Sequence, residues 1–201
     1  MAIAKERYAP VLDEYLKDFE LLQRELVGMR ILDAGAGLRQ FARDCTEQEA
    51  AEVWSVAKDT DDWLVTKQRM DQTERMQPDS EWLAIWKKVE AKSQCGLFQN
   101  LPYAGGSFDL VLSHNALTQS TESEEEMTDG MMEMVRVLRS GGEIRLFPGW
   151  TDCWPAKQRL VVMGALSRLM EVAGVRVEIK RTEIKIGGMV SVGSMVILHK
   201  D

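Results

Sequence analysis

The sequence predicts an α/β fold, a mostly parallel sheet with helices on both faces and an antiparallel strand at its end. Three observations point to it. Short apolar runs alternate with amphipathic helical stretches along most of the 201 residues, as they do where crossover helices cover both faces of a parallel sheet. Glycines and acidic residues stand at the ends of those runs, where turns belong. The last two strands share only a short glycine-bearing link, too short for a crossover, so they pair antiparallel.

Taken in order, Leu12, Tyr15, Phe19, Leu22 and Leu26 fall on one face of a helical repeat over 11–26, with Gly28 as its stop. "MRILDA" (29–34) reads as a buried strand, "LRQFARDC" (38–45) as a helix and "AEVWSVA" (51–57) as the second strand. Pro78 divides the charged, Trp-bearing stretch 58–92 into two helical pieces. Asp79 or Ser80 caps the second, which carries Trp82, Ile85 and Trp86 as packing residues. "AGGS" is a turn before the strand "FDLVLS" (108–113), whose Phe108, Leu110 and Leu112 read as core and whose Asp109 reads as a partner for nearby backbone.

The acidic start of "TESEEEMTDGMMEMVRVLRSGG" suits a helix N-terminus. Met131, Met134, Val135 and Leu138 form its apolar stripe, Arg136 and Arg139 its last turn, and Gly141 its stop. "EIRLFP" is a further strand. Pro155 and Gly174 bracket a long helix, and strands near "VRVEIKR" and "SMVILHK" close the chain around the link "IKIGGMVSVG".

Composition narrows the function classes. With 45% hydrophobic and 28% charged residues, the chain reads as one globular domain spanning 1–201. Its expected parts are an N-terminal cap helix (1–28), a central core (29–150) and a C-terminal helix with a closing strand pair (151–201). The net charge of −7 argues against a nucleic-acid partner. No apolar run approaches the roughly 20 residues that span a bilayer, and "MAIAKERYAP" is too polar for a secretory leader. A cytoplasmic protein without a membrane partner is expected. Cys45, Cys95 and Cys153 lie far apart without a CxxC pair, and His114 and His199 are the only histidines, so no metal site or disulfide framework is expected. Nothing in the sequence specifies an oligomeric state.

The segments "ILDAGAG" (31–37), "LPYAGGSFDLVLSHNAL" (101–117) and "EMVRVLRSGGEIRLF" (133–147) follow one another in an order that resembles the class I S-adenosylmethionine-dependent methyltransferases, in particular those acting on small molecules. The match covers roughly residues 29 to 150, and the C-terminal helix and strand pair fit the family's seven-stranded, Rossmann-like sheet. The resemblance implies S-adenosyl-L-methionine as cofactor and a small-molecule acceptor. It places Asp33 at the end of the first strand, facing the cofactor's α-amine, with Gly35, Ala36 and Gly37 as the turn the cofactor approaches. Bare glycines allow such an approach because no Cβ stands in the way. Asp59 and Asp61 become the nearest acids for the ribose, across a shifted turn, and Leu97 and Phe98 stand at the adenine positions. Ser113 and His114 lie at the carboxyl edge of the sheet, where open α/β folds bind ligands. His114 is the candidate general base.

Three positions depart from the family pattern. Arg39 stands at the third glycine, Ala57 at the acid that ends the second strand, and Leu97 at the acid that meets the adenine amino group. Arg39 has three readings: a partner for the methionine carboxylate, a partner for an acidic substrate, or a side chain in solvent. Loss of the two acids costs about 3 to 5 kcal/mol, or roughly two to three decades of affinity. The alternative to an enzyme is therefore a methyltransferase-like domain that has lost its cofactor and works as an interaction or scaffold protein. A dinucleotide-binding oxidoreductase fits worse, because Gln40 takes the last position of a G-x-G-x-x-G series.

Overall fold

The computed structural model of the chain describes residues 11–58, 61–186 and 189–201. Seven strands form one sheet: β1 (Arg30–Ala34), β2 (Glu52–Ala57), β3 (Ser93–Cys95), β4 (Phe108–His114), β5 (Leu138–Thr151), β6 (Arg176–Ile186) and β7 (Met189–His199). Their order is β3-β2-β1-β4-β5-β7-β6. The first five run parallel, while β7 lies antiparallel between β5 and β6. The helices are α1 (Val11–Asp18), α2 (Gln23–Leu26), α3 (Gln40–Glu47), α4 (Asp61–Met76), α5 (Glu81–Ala91), α6 (Leu117–Ser120), α7 (Glu124–Val137) and α8 (Ala156–Ala173).

Alternating residues of the central strands feed two cores. Ile31, Val53, Leu110 and Leu112 pack with Tyr15, Phe19, Phe41, Trp63 and Trp86 on one face. Leu32, Val56, Val111 and Leu146 pack with Met127, Met131, Met134, Leu166 and Leu169 on the other. The methionine stripe is thus core, and Trp86 is buried by helix packing, as the sequence predicts. Asp109 accepts a hydrogen bond from the Arg30 backbone at 2.6 Å. Strand order reverses between β1 and β4, and the loops leaving these two strands meet at the carboxyl edge.

Three element boundaries differ from the sequence reading. The helix expected over 11–26 breaks after α1, where Glu20 takes a positive φ of 51°, and Leu22 is turned half into solvent. Long-range bonds fix α1 where it stands. The Asp44 carboxylate accepts from the backbone N–H of Val11 (2.8 Å) and Leu12 (3.2 Å), capping the described start of α1. The Arg145 guanidinium donates to the carbonyls of Phe19 and Glu20 at its end. Helix α7 stops at Val137 rather than at Gly141, and Arg139 belongs to β5, paired with Asp109. The reason is close approach: a Cβ on Gly142 would lie 2.8 Å from the Asp109 carbonyl, so this segment presses against β4 as sheet. The "IKIGGMVSVG" link is mostly strand, since β6 and β7 pair from Arg176↔His199 to Ile186↔Met189. Gly193 lies inside that ladder, tight against Ile184, and is a packing position rather than a loop residue.

Replacing the buried Asp44 by alanine removes the cap of α1. An N-cap of this kind contributes about 1–2 kcal/mol, so the melting temperature should fall by about 2–8 °C for a chain of this size. Amide exchange at Val11 and Leu12 should accelerate in step. An unchanged melt with unchanged exchange would show that α1 is held by other means.

Candidate functional site

At the carboxyl end of β1, Asp33 is 1% exposed, a carboxylate among aromatic rings. One oxygen accepts the Tyr15 hydroxyl at 3.2 Å, and the other has no hydrogen-bond partner among the described residues. Burial drives its pKa from 3.8 up to about 7, against the smaller lowering effects of the Tyr15 bond and the charges of His114 and Arg39. Burial, with the neighbouring carboxylate, likewise pushes the Tyr15 phenol well above its ordinary range. Tyr15 stacks on Phe41 at 4.3 Å and tilts against His114 at 4.7 Å, so α1 roofs the carboxylate.

The turn after Asp33 divides into two halves with different neighbours. Gly35 has φ +88°, and a Cβ there would meet the Ala116 Cβ at 2.2 Å and the Phe98 ring at 3.1 Å. Its N–H and that of Ala36 both donate to the Val56 carbonyl, so β2 holds the turn in place. Gly37 has φ +48° and faces open space, where a Cβ would meet nothing within 4 Å. Arg39 follows in the left-handed region at φ 57° and caps α3 through its backbone. Its side chain does not reach solvent: it is fully buried, folds back to donate to the Gly37 carbonyl, and lies over the Trp63 ring at 4.3 Å. The solvent reading of Arg39 is therefore overturned, because an indole face on α4 and the carbonyl of its own loop draw the guanidinium inward.

The remaining candidates scatter. The Ser113 hydroxyl is buried and accepts from the Leu117 N–H, a local cap for the turn into α6. His114 is drawn in beside α1: Nε2 lies 2.9 Å from Asp18 and Nδ1 lies 3.2 Å from the Asn115 amide, with the ring stacked on Phe147. Leu97 is half-exposed and bridges to Asn100. Phe98 packs its ring against Gly35. Ala57 ends β2 beside Cys95, without a carboxylate at that point. Asp59, the candidate ribose acid, lies outside the described residues.

Sequence reasoning missed Tyr15, Asp18 and Trp63. Tyr15 was visible only as a core position of the first helix. Asp18 has the same helical spacing from Glu14 as any solvated acid, and only the topology brings it to His114. Trp63 carries no positional signal until α4 is laid over Arg39.

Residues 32–146 match a family described as the Methyltransferase domain. The chain belongs to that family. No curated protein matches it in sequence. Among solved structures, a SAM-dependent methyltransferase from Methanosarcina mazei shares 14% identity over 96% of this chain and 98% of its own, with a TM-score of 0.56. The cyclase SpnF shares 16% identity over 94% of this chain and 80% of its own, with a TM-score of 0.59. An arsenic(III) S-adenosylmethionine methyltransferase from Chlamydomonas reinhardtii shares 20% over 96% and 74%, with a TM-score of 0.53. Likeness at these identities is one of fold, and the fold is the Rossmann-like methyltransferase sheet that the three sequence segments imply.

The buried carboxylate of this methyltransferase domain has a measurable cost. Since the folded pKa of Asp33 is raised, the folded state alone holds the proton between roughly pH 4 and pH 7. The contribution of Asp33 to stability is therefore greatest below the unfolded pKa, falls as pH rises to about 7, and is flat above. The shift corresponds to about 4 kcal/mol. Asp33→Asn keeps an acceptor for Tyr15 and removes the charge, so it should be more stable than wild type above pH 7. Urea unfolding from pH 4 to pH 8 checks this: the gap should close towards pH 4, and a gap independent of pH would refute it.

Proposed function

We propose that the chain transfers a methyl group from S-adenosyl-L-methionine to a small-molecule acceptor. The observation that carries the reading is Asp33, a buried carboxylate at the strand-order reversal with one oxygen unmet by the protein. An unmatched buried acceptor is expensive, and an ammonium group beside it would recover that cost. Gly37 supports the same reading, because the direction its Cβ would take is open. The methionine end of the donor thus fits Asp33 and the turn at Gly37. At the nucleoside end, Leu97 offers an apolar surface, and Ala57 and Leu97 replace the two acids of the family pattern.

When bound, the donor supplies a methyl group already activated on a sulfonium, so the protein's work is positioning and exclusion of water. The roof of α1, held at both ends, supplies the second function. His114 is placed for the proton. With its Nε2–H donated to Asp18, Nδ1 carries the lone pair and accepts the Asn115 amide. Asp18 fixes this tautomer, and an acceptor's N–H or O–H exchanged for that amide would give its proton to Nδ1. Asn115 sits at φ 51° and is exposed, so its amide can give way to such an exchange. The acceptor is a small molecule rather than a nucleic acid, in keeping with the net charge of −7. Among the described residues no helix is long and apolar enough to cross a membrane.

Titration calorimetry with S-adenosylhomocysteine tests the reading. Binding is expected, and Asp33→Asn should weaken it about 10- to 100-fold through loss of a charge-assisted bond. No heat at millimolar ligand would instead leave a methyltransferase-like scaffold. With any acceptor found among small amines, thiols and phenols, His114→Gln and Asp18→Asn should each slow transfer by about 100-fold. Their S-adenosylhomocysteine affinity should stay at the wild-type value, and a matching loss of affinity would assign both residues to donor binding.

A further inference from the structure

We propose that Arg39 is an internal cation that closes the donor cleft, standing in for the positive charge of the donor and leaving when the donor enters. The inference rests on the donor-binding reading of Asp33. Its first support is conformational: Arg39 takes φ 57°, a left-handed state that disfavours a residue with a long side chain and favours glycine. The local backbone therefore gains nothing from arginine. The second support is burial. A guanidinium with no exposure at all is rare for an arginine and must be matched by its surroundings.

Those surroundings lie in the cleft. The guanidinium folds back onto the Gly37 carbonyl, is covered by Trp63 of α4, and its charge lowers the pKa of both Asp33 and Tyr103. Tyr103 in turn donates to the Ser55 carbonyl on β2, and Ser55 is the register neighbour of Asp33. One cation therefore lies within electrostatic reach of Asp33 at the end of β1 and of Tyr103, which is bonded to β2. Asp33 is inaccessible to solvent in this arrangement. A donor carrying both an ammonium and a sulfonium cannot share that volume with a guanidinium, since like charges in a buried site repel strongly. Loading thus requires the arginine to withdraw and Trp63 to lose its stacking partner.

Arg39→Gly relieves the left-handed backbone but gives up the buried contacts of the guanidinium, so its fold is checked by circular dichroism and thermal melting before binding is read. Arg39→Asn, also tolerant of the left-handed region, gives a second arm should glycine loosen the turn. Calorimetry with S-adenosylhomocysteine should show at least tenfold tighter binding to both variants than to wild type. Tryptophan emission supplies a readout without turnover. The Trp63 contribution, isolated by subtracting spectra of the matching W63F chains, should shift when wild type binds S-adenosylhomocysteine. In Arg39→Gly it should already be shifted without ligand. Equal affinity in wild type and variants overturns the plug and leaves donor binding intact. Weaker binding in the variants overturns it too, and makes Arg39 a holder of the donor carboxylate. Failure of all three chains to bind at millimolar ligand defeats the donor reading, and the plug with it.

Discussion

Placing a carboxylate at the end of the first strand, buried among the rings of one core rather than at its surface, is the constraint on which the rest of the site depends. β1 lies between β2 and β4, so Asp33 is enclosed by sheet on both sides and by α1 and α3 above. Enclosure raises its pKa to about 7 and costs stability at neutral pH. A sequence selected for stability alone would place a leucine there. Three groups reduce the cost without cancelling it: the Tyr15 hydroxyl, the charge of His114 and the charge of Arg39. Each comes from a different element, and each of those elements is tied down by bonds remote from the carboxylate.

Helix α1 shows how such ties work. Its eight residues are too few to be stable alone in water. The helix exists because Asp44 of α3 caps its start and Arg145 of β5 holds its end. Those anchors stand on opposite sides of the reversal point, so α1 spans the carboxyl edge as a strap. Tyr15 and Asp18, less than one turn apart, then reach Asp33 and His114. Caps that look like stability devices thereby set the geometry of two candidate functional contacts.

Much of this fold was legible in the sequence because strand and helix periods are local. "RILDA", "EVWSVA" and "FDLVLSH" became β1, β2 and β4 within a residue or two of their expected ends. Boundaries failed where a distant partner overruled local pattern. Asp44 and Arg145 broke the N-terminal helix short, close approach to β4 turned 138–142 into strand, and pairing with β6 absorbed the glycines near 193. The site was legible only in part for the same reason. Asp33 and the glycine turn are contiguous and carry their own signature. The Asp18–His114 pair and the Arg39–Trp63 stack join residues far apart in the chain, and no spacing rule announces them.

The two glycines of the turn illustrate why a motif and its function must be argued separately. Gly35 is required by the protein itself, since Ala116 and Phe98 occupy the ground where its side chain would stand. That glycine would be needed whether or not a ligand ever bound. Gly37 has no such neighbour and takes a conformation, φ +48°, that arginine tolerates two residues later. A motif read as a single cofactor signature thus contains one packing residue and one clear face. The likeness to the cyclase SpnF, a protein of the same fold with a different named reaction, carries the same lesson at the level of the whole chain. What would distinguish a ligand site from an inherited turn is polar chemistry that the protein leaves unfinished, and the second oxygen of Asp33 is a buried acceptor of that kind.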